Sequence, residues 1–226
     1  MSLKIRPYSP SDRQAVRDIC CDTGFMGNPI DPVFIDRDAF ADFFTRYYTD
    51  REPENALVAV EDDRVVGYLI GCMNFRAYNR TQLWLILTWT VPKIIGRVLA
   101  FRYNKASFKF LSWFLFKAAG ETPKSIPDAA HFHVNMYTEY RTGIAGRRLI
   151  FPFVNRVAKL GFKGVYGQMQ VYQDRRSEKV FERYGFKFTD RKEITKFKDY
   201  HDKPVWVATI YHEFKKDANV AIPEVE

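Results

Sequence analysis

Residues 131–150 constrain this chain more than any other stretch. The alternating run His131-Phe132-His133-Val134-Asn135-Met136-Tyr137 reads as a strand. A turn with glycines follows, Tyr140-Arg141-Thr142-Gly143-Ile144-Ala145-Gly146-Arg147. Behind it Leu149, Ile150, Phe153, Val154, Val157 and Leu160 recur at helical spacing, and Gly161-Phe162-Lys163-Gly164 closes the helix. A strand that enters a helix through so short a loop aims several backbone N–H groups at one point. The helix start adds a partial positive charge there. Arg141 and Arg147 add full charges, and the site suits a diphosphate. The plainer alternative is an ordinary turn that uses glycine for its backbone freedom. Pro152 inside the helix predicts a kink.

The rest of the chain surrounds this unit with short elements. Lys4-Ile5-Arg6-Pro7-Tyr8 reads as a strand, and Ser9-Pro10-Ser11-Asp12 starts a helix bearing Ala15, Val16, Ile19 and Cys20. Phe40, Phe43, Phe44 and Tyr47 mark a second helix. Residues 56–61 and 65–72 form a hairpin turned at Asp62-Asp63-Arg64. Strands follow at 165–171, 186–197 and 205–214, with a short helix at 177–184 closed by Gly185. The strand–helix–strand pieces in the middle imply parallel pairing, and the terminal hairpins imply antiparallel pairing. The fold class is α/β, a mixed, mostly antiparallel sheet of about seven strands flanked by helices, in one domain over 1–226.

Composition removes several classes. Cys20, Cys21 and Cys72 are odd in number, and two are adjacent, so they form no disulfide framework. They read as packing residues in a reducing, cytoplasmic setting. No apolar run approaches the length of a spanning helix, and the start shows no signal-peptide core. His131, His133, His201 and His212 have no partners at zinc spacing, so no metal is expected. The net charge is +8. It leaves nucleic acid, an anionic membrane face or an acidic small molecule as partners.

The turn gives that charge a first meaning. Residues 140–150 resemble the acetyl-CoA loop of the GNAT superfamily of N-acetyltransferases: Arg or Gln, two residues, Gly, one residue, then Gly or Ala. Arg141 takes the first position and Gly146 the last. Ile144 stands where that family has its first Gly, with Gly143 one place earlier. Residues 5–12, 57–71 and 174–186 are similar to its opening strand and helix, its central hairpin and its Asn-x-x-Ala…Tyr…Gly-Phe helix.

The resemblance implies acyl transfer from acetyl-CoA, or a longer acyl-CoA, to an amine acceptor by direct attack. It implies that the strand splays from its neighbour at a bulge and that the pantetheine arm lies in the opening. Met136, Tyr137 and Thr138 would meet that arm, and one of their amides would polarise the thioester. The amides from Thr142 through Gly143, Ile144, Ala145 and Gly146 to Arg147 would take the pyrophosphate. Asp174, in place of Asn, reads as an arm contact or a helix cap. The tyrosine that supplies the acid falls at Phe181, which has no proton to give. Tyr184, one turn on, reads as a substitute acid or as packing. His131, His133 and Glu139 are candidate bases, with His133 foremost, and a water relay needs none of them. A second implied function is a CoA-binding or interaction protein without transferase activity.

Residues 75–129, between the third and fourth strands, depart from that family's short connection. They hold nine cations and two acids, most of the net charge, and three of the four tryptophans. The stripes Ile94, Ile95, Val98, Leu99 and Phe110, Leu111, Phe114, Leu115 predict helices, separated near Pro92 and Tyr103-Asn104-Lys105. Four roles are open: a lid over the acceptor site, a homodimer interface, a peripheral membrane contact and nucleic-acid binding. Aromatic spacing of core type argues against the last.

Overall fold

The structure is a computed structural model that describes residues 3–172 and 177–214. Seven strands form one sheet: β1 (Lys4–Pro7), β2 (Ala56–Glu61), β3 (Arg64–Cys72), β4 (Ala130–Met136), β5 (Gly164–Tyr172), β6 (Lys187–Ile194) and β7 (Val205–Glu213). The helices are α1 (Arg13–Asp22), α2 (Arg37–Arg51), α3 (Phe75–Leu85), α4 (Val91–Leu99), α5 (Lys105–Phe116), α6 (Ala118–Glu121), α7 (Gly143–Lys159) and α8 (Ser177–Arg183).

The strand order is β1-β2-β3-β4-β5-β7-β6. Only β4 and β5 run parallel, joined by α7. Asp62 and Asp63, with φ of 47° and 60°, make the tight β2–β3 turn. Two left-handed central residues match the twist of a hairpin. The second strand–helix–strand piece departs from the sequence expectation. β7 folds back on β6 and pairs with β5 from Gly164↔Glu213 to Tyr172↔Val205. β7 thus takes the place beside β5 and leaves β6 at the edge of the sheet.

The alternation of side chains along each strand builds two cores, one per face. Tyr68, Ile70 and Cys72 of β3 pack with α1 and α2 around Val16, Ile19, Phe40 and Tyr48. Leu69, Phe132 and Met136 pack on the opposite face with Leu149, Phe153 and Val157 of α7. The helix assignment of α7 runs unbroken across Pro152.

The insertion packs on the first face. Phe110 stacks on Phe34 with centroids 4.7 Å apart, and Phe114 meets Phe43 edge-on at 4.9 Å. Asp36, buried at the start of α2, accepts a hydrogen bond from Tyr103 Oη at 2.6 Å and pairs with Arg97. Lys93 pairs with Asp42 at 3.4 Å, and Lys109 with Asp199 at 2.5 Å. Three of the insertion's nine cations, Lys93, Arg97 and Lys109, are therefore paired with aspartates outside it. Pro92 does not divide the segment as its sequence predicts. A π-helical turn, Ile86–Thr90, joins α3 to α4 and leads into the proline, which sits in the first turn of α4. Proline lacks only an N–H that the widened turn does not need there. The stripe in α4 also splits. Ile94 and Val98 face the core, while Ile95 and Leu99 are exposed.

Candidate active site

β4 and β5 pair only at Ala130↔Val165, His131↔Tyr166 and Phe132↔Gly167. Beyond that point they separate. β4 continues beside β3 to Met136, and β5 beside β7 to Tyr172. The opening forms without a bulge in β4, since the β3–β4 register runs unshifted from Cys72↔His131 to Gly67↔Met136. This corrects the bulge that the resemblance implies. Divergence alone exposes the edge, because β5 is held by its long ladder to β7.

That edge carries polar backbone. The Tyr137 N–H donates to Val66 O at 3.0 Å, which commits it to β3. Alternation along the strand turns the N–H groups of Val134 and Met136 the other way, toward the opening. The Met136 carbonyl accepts from Arg141 Nε at 2.7 Å. Arg141 also lies against Gly27, whose φ of 92° and lack of Cβ allow the approach. Thr138 opens a short 3-10 turn and reaches Gly27 O at 3.4 Å. Tyr137 thus has its amide turned away from the opening, and Met136 has its amide toward it.

The α7 start lies at the foot of the same opening. Thr142 caps it by accepting from the Ala145 N–H at 3.1 Å. The Thr142 N–H donates to Tyr140 O, and the Gly146 N–H donates to Thr142 O. Gly143 and Ile144 precede any intrahelical acceptor, so theirs are the open amides of the first turn. A Cβ on Gly146 would meet no protein atom within 4 Å, so protein packing does not require glycine there. The open space lies on the cavity wall. Ile144 is 73% exposed. Arg147 stacks over Phe151 at 5.2 Å.

One cavity of about 970 Å³ joins these parts. It runs from Arg141, Gly143 and Gly146 past the separated strands to the aromatic faces of α2, α3 and α5. Such a volume is at the upper end of small-molecule sites. Phe181 and Tyr184 line its α7 end. Tyr184 Oη donates to the carbonyl of Gly143, and burial raises its pKa. Asp174 lies outside the described residues.

His131 and His133 project from β4 to the α1–α2 face, where both line the cavity. His131 Nε2 is 2.8 Å from Tyr48 Oη, and its Nδ1 is buried without a hydrogen-bond partner. Burial, aided by His133, pulls the His131 pKa down to about 3. Burial pulls His133 down to about 4. Both rings are neutral near pH 7. Glu139 is exposed and off the cavity wall. The cysteines are free and buried, and burial pushes Cys20 and Cys21 up to about 12, which leaves unreactive thiols. No group of three His, Cys, Asp or Glu among the described residues could hold a metal.

Two cavity residues had no sequence signal. Tyr48 stands one place beyond the counted stripe of α2. Lys196 follows β6, inside a span that reads as strand. Its ammonium sits over Trp113 and Phe197 at 4.8 Å each and over Phe110 at 5.8 Å.

Several solved structures share this arrangement. SsHAT superimposes with a TM-score of 0.60 at 23% identity, covering 94% of this chain and 98% of its own. The yncA protein of Salmonella typhimurium, solved with its cofactor acetyl-CoA, gives 0.56 at 13% identity over 96% and 97%. The ribosomal-protein-alanine N-acetyltransferase of Brucella melitensis gives 0.54 at 13% over 93% and 99%. The fold is that of the GNAT acetyltransferases. No family model matches the sequence. No curated protein matches it either. Among the described residues, no helix is long and apolar enough to cross a membrane.

Proposed function

We propose that the protein transfers an acyl group, acetyl in the first instance, from acyl-CoA to the nitrogen of an amine by direct attack. The observation that carries this reading is the separation of β4 from β5 after three pairs, directly above the open amides of α7. Val134 and Met136 would hold the pantetheine amides at the open edge of β4, and Gly143, Ile144 and the space over Gly146 would hold the pyrophosphate. The residues present therefore fit the cofactor.

In the transfer an N–C bond forms and the C–S bond breaks. The amine loses one proton and the thiolate gains one. The Met136 N–H is placed to hold charge developing on the thioester oxygen. His133, with its pKa near 4, is too weak a base to deprotonate an ammonium at neutral pH. The amine must enter as the free base, and the neutral imidazole orients it. Tyr184 keeps its proton, but Gly143 O holds it. It serves as the acid only after releasing that carbonyl.

The insertion acts as a lid over the acceptor end, since Phe75, Phe110 and Trp113 line it. The lid's outer face, with Leu99, Phe101 and Phe116 72, 94 and 82% exposed, supports a second copy or a membrane surface as its cover. The buried free thiols fit a reducing, cytoplasmic compartment.

Calorimetric titration with CoA and thiol-release assays with mixed amines test the reading. Binding and turnover support it. Binding without turnover favours the CoA-binding alternative, for which Phe181 and the tied Tyr184 hydroxyl speak. No binding removes both.

A further inference from the structure

The cavity wall has two cations, Arg141 at the α7 end and Lys196 at the lid end, and no Asp or Glu among the described residues. Lys196 is the unusual one. Its ammonium has no ion pair and no hydrogen bond among the described residues. It meets three aromatic faces instead. Glu121, the acid whose charge acts on Lys196, is otherwise engaged. It accepts from Trp113 Nε1 at 2.5 Å, from the Thr195 N–H at 2.7 Å and from Thr195 Oγ1 at 2.8 Å. Those bonds fix Trp113 and Thr195, the residue just before Lys196. Glu121 builds the cradle without closing it.

A desolvated cation without a counter-ion is costly. Burial accordingly pulls the Lys196 pKa down to about 8, so the group is still mostly charged at pH 7. An anion arriving in the cavity restores the missing partner. One ammonium among aromatic faces, with Arg141 at the far end as the one guanidinium among the described residues of the wall, suits a monoanionic carboxylate on an apolar body better than a phosphate. The location also excludes the CoA phosphates. Phe110 and Phe197 belong to the core on the α1–α2 face, whereas α7 lies on the other.

We propose that the acceptor is an amine that also carries a carboxylate on an aromatic or aliphatic body, and that Lys196 in its aromatic cradle is the anchor for that carboxylate. The amine half of the statement rests on the acyl-transfer reading, while the carboxylate half stands on the cradle alone. A simple cationic amine, by contrast, finds no acid on the wall and neutral histidines near the opening.

The test uses the full chain at pH 7 and three probe pairs: 3-phenylpropanoate, indole-3-propanoate and hexanoate, each against its primary amide. Calorimetry should find at least one acid bound ten or more times tighter than its amide. That preference should vanish in Lys196→Met and survive in Lys196→Arg. Amides bound as well as all three acids by the wild type would overturn the proposal, and this comparison needs no variant to fold. A turnover assay with acetyl-CoA then compares phenylalanine with phenethylamine. Acid selectivity without turnover of any amine would leave the anchor standing and remove acyl transfer. Turnover that favours phenethylamine would leave transfer standing and remove the anchor.

Discussion

Tyr48 Oη lies 2.8 Å from Nε2 of His131, although the two residues come from α2 and β4 and neither is more than 5% exposed. The contact ties the helix under the insertion to the strand that forms the opening. Tyr48→Phe leaves Nε2 buried without a partner, beside an Nδ1 that already has none. The expected cost is about 1–3 kcal/mol. Adding His131→Phe should restore part of it, since removing both partners is cheaper than orphaning one. Urea midpoints of the single and double variants at pH 7.5 check this. Equal losses that simply add would mean the pair is not coupled.

The two histidines set an acid limit on stability. Their folded pKa values lie near 3 and 4, below the ordinary 6.5. The unfolded chain therefore binds protons first as the pH falls. Stability from both is complete above pH 6.5. It is lost progressively below that, to about pH 4 for His133 and about 3 for His131. His133→Gln should flatten the fall in urea midpoint between pH 6.5 and 4 relative to wild type. The same shift predicts no histidine inflection near 6.5 in kcat/KM. An inflection there that disappears in His133→Gln would restore this residue as a general base.

Gly146 separates binding from folding. Nothing in the protein lies where its Cβ would go, and leucine is a better helix former than glycine. Gly146→Leu should therefore keep or raise the Tm while filling the space over the first turn of α7. CoA affinity should fall at least about tenfold, or about 1.4 kcal/mol. Unchanged affinity would take the turn out of the cofactor site.

The strands were legible because each carries local marks: alternation, the paired aspartates of the β2–β3 turn, and the glycine that stops α7. The capped turn into α7 was legible for the same reason, since Arg141 to Gly146 are contiguous. What lies far apart in sequence was not. Lys196 becomes distinctive only when α5 brings Phe110 and Trp113 over it, and Tyr48 only when β4 brings His131. Pro92 misled because its local rule, that proline ends a helix, gives way when a wider turn precedes it. The count of charge in the insertion was legible, but not its pairing, since Asp36, Asp42 and Asp199 lie outside it.

Those aspartates make the lid testable without deleting it. Removing residues 80–120 would strip Phe110 from Phe34 and uncover the core, so a loss of fold would say nothing about the acceptor. Asp36 offers a smaller change. It is 4% exposed, caps α2 through the Ala39 N–H at 2.9 Å, and holds Arg97 and Tyr103. Asp36→Asn keeps an acceptor for the cap but removes the charge that Arg97 meets. The α4–α5 connection should loosen, which faster proteolysis near residues 97–105 would report. KM for the acceptor should rise severalfold, while CoA affinity should stay within twofold if CoA binds at α7, on the opposite face of the sheet. Asp36→Ala adds the loss of the cap, about 1 kcal/mol, and lowers the Tm further. If Asp36→Asn weakens CoA and acceptor alike, the insertion supports the whole sheet, and its role as a lid falls.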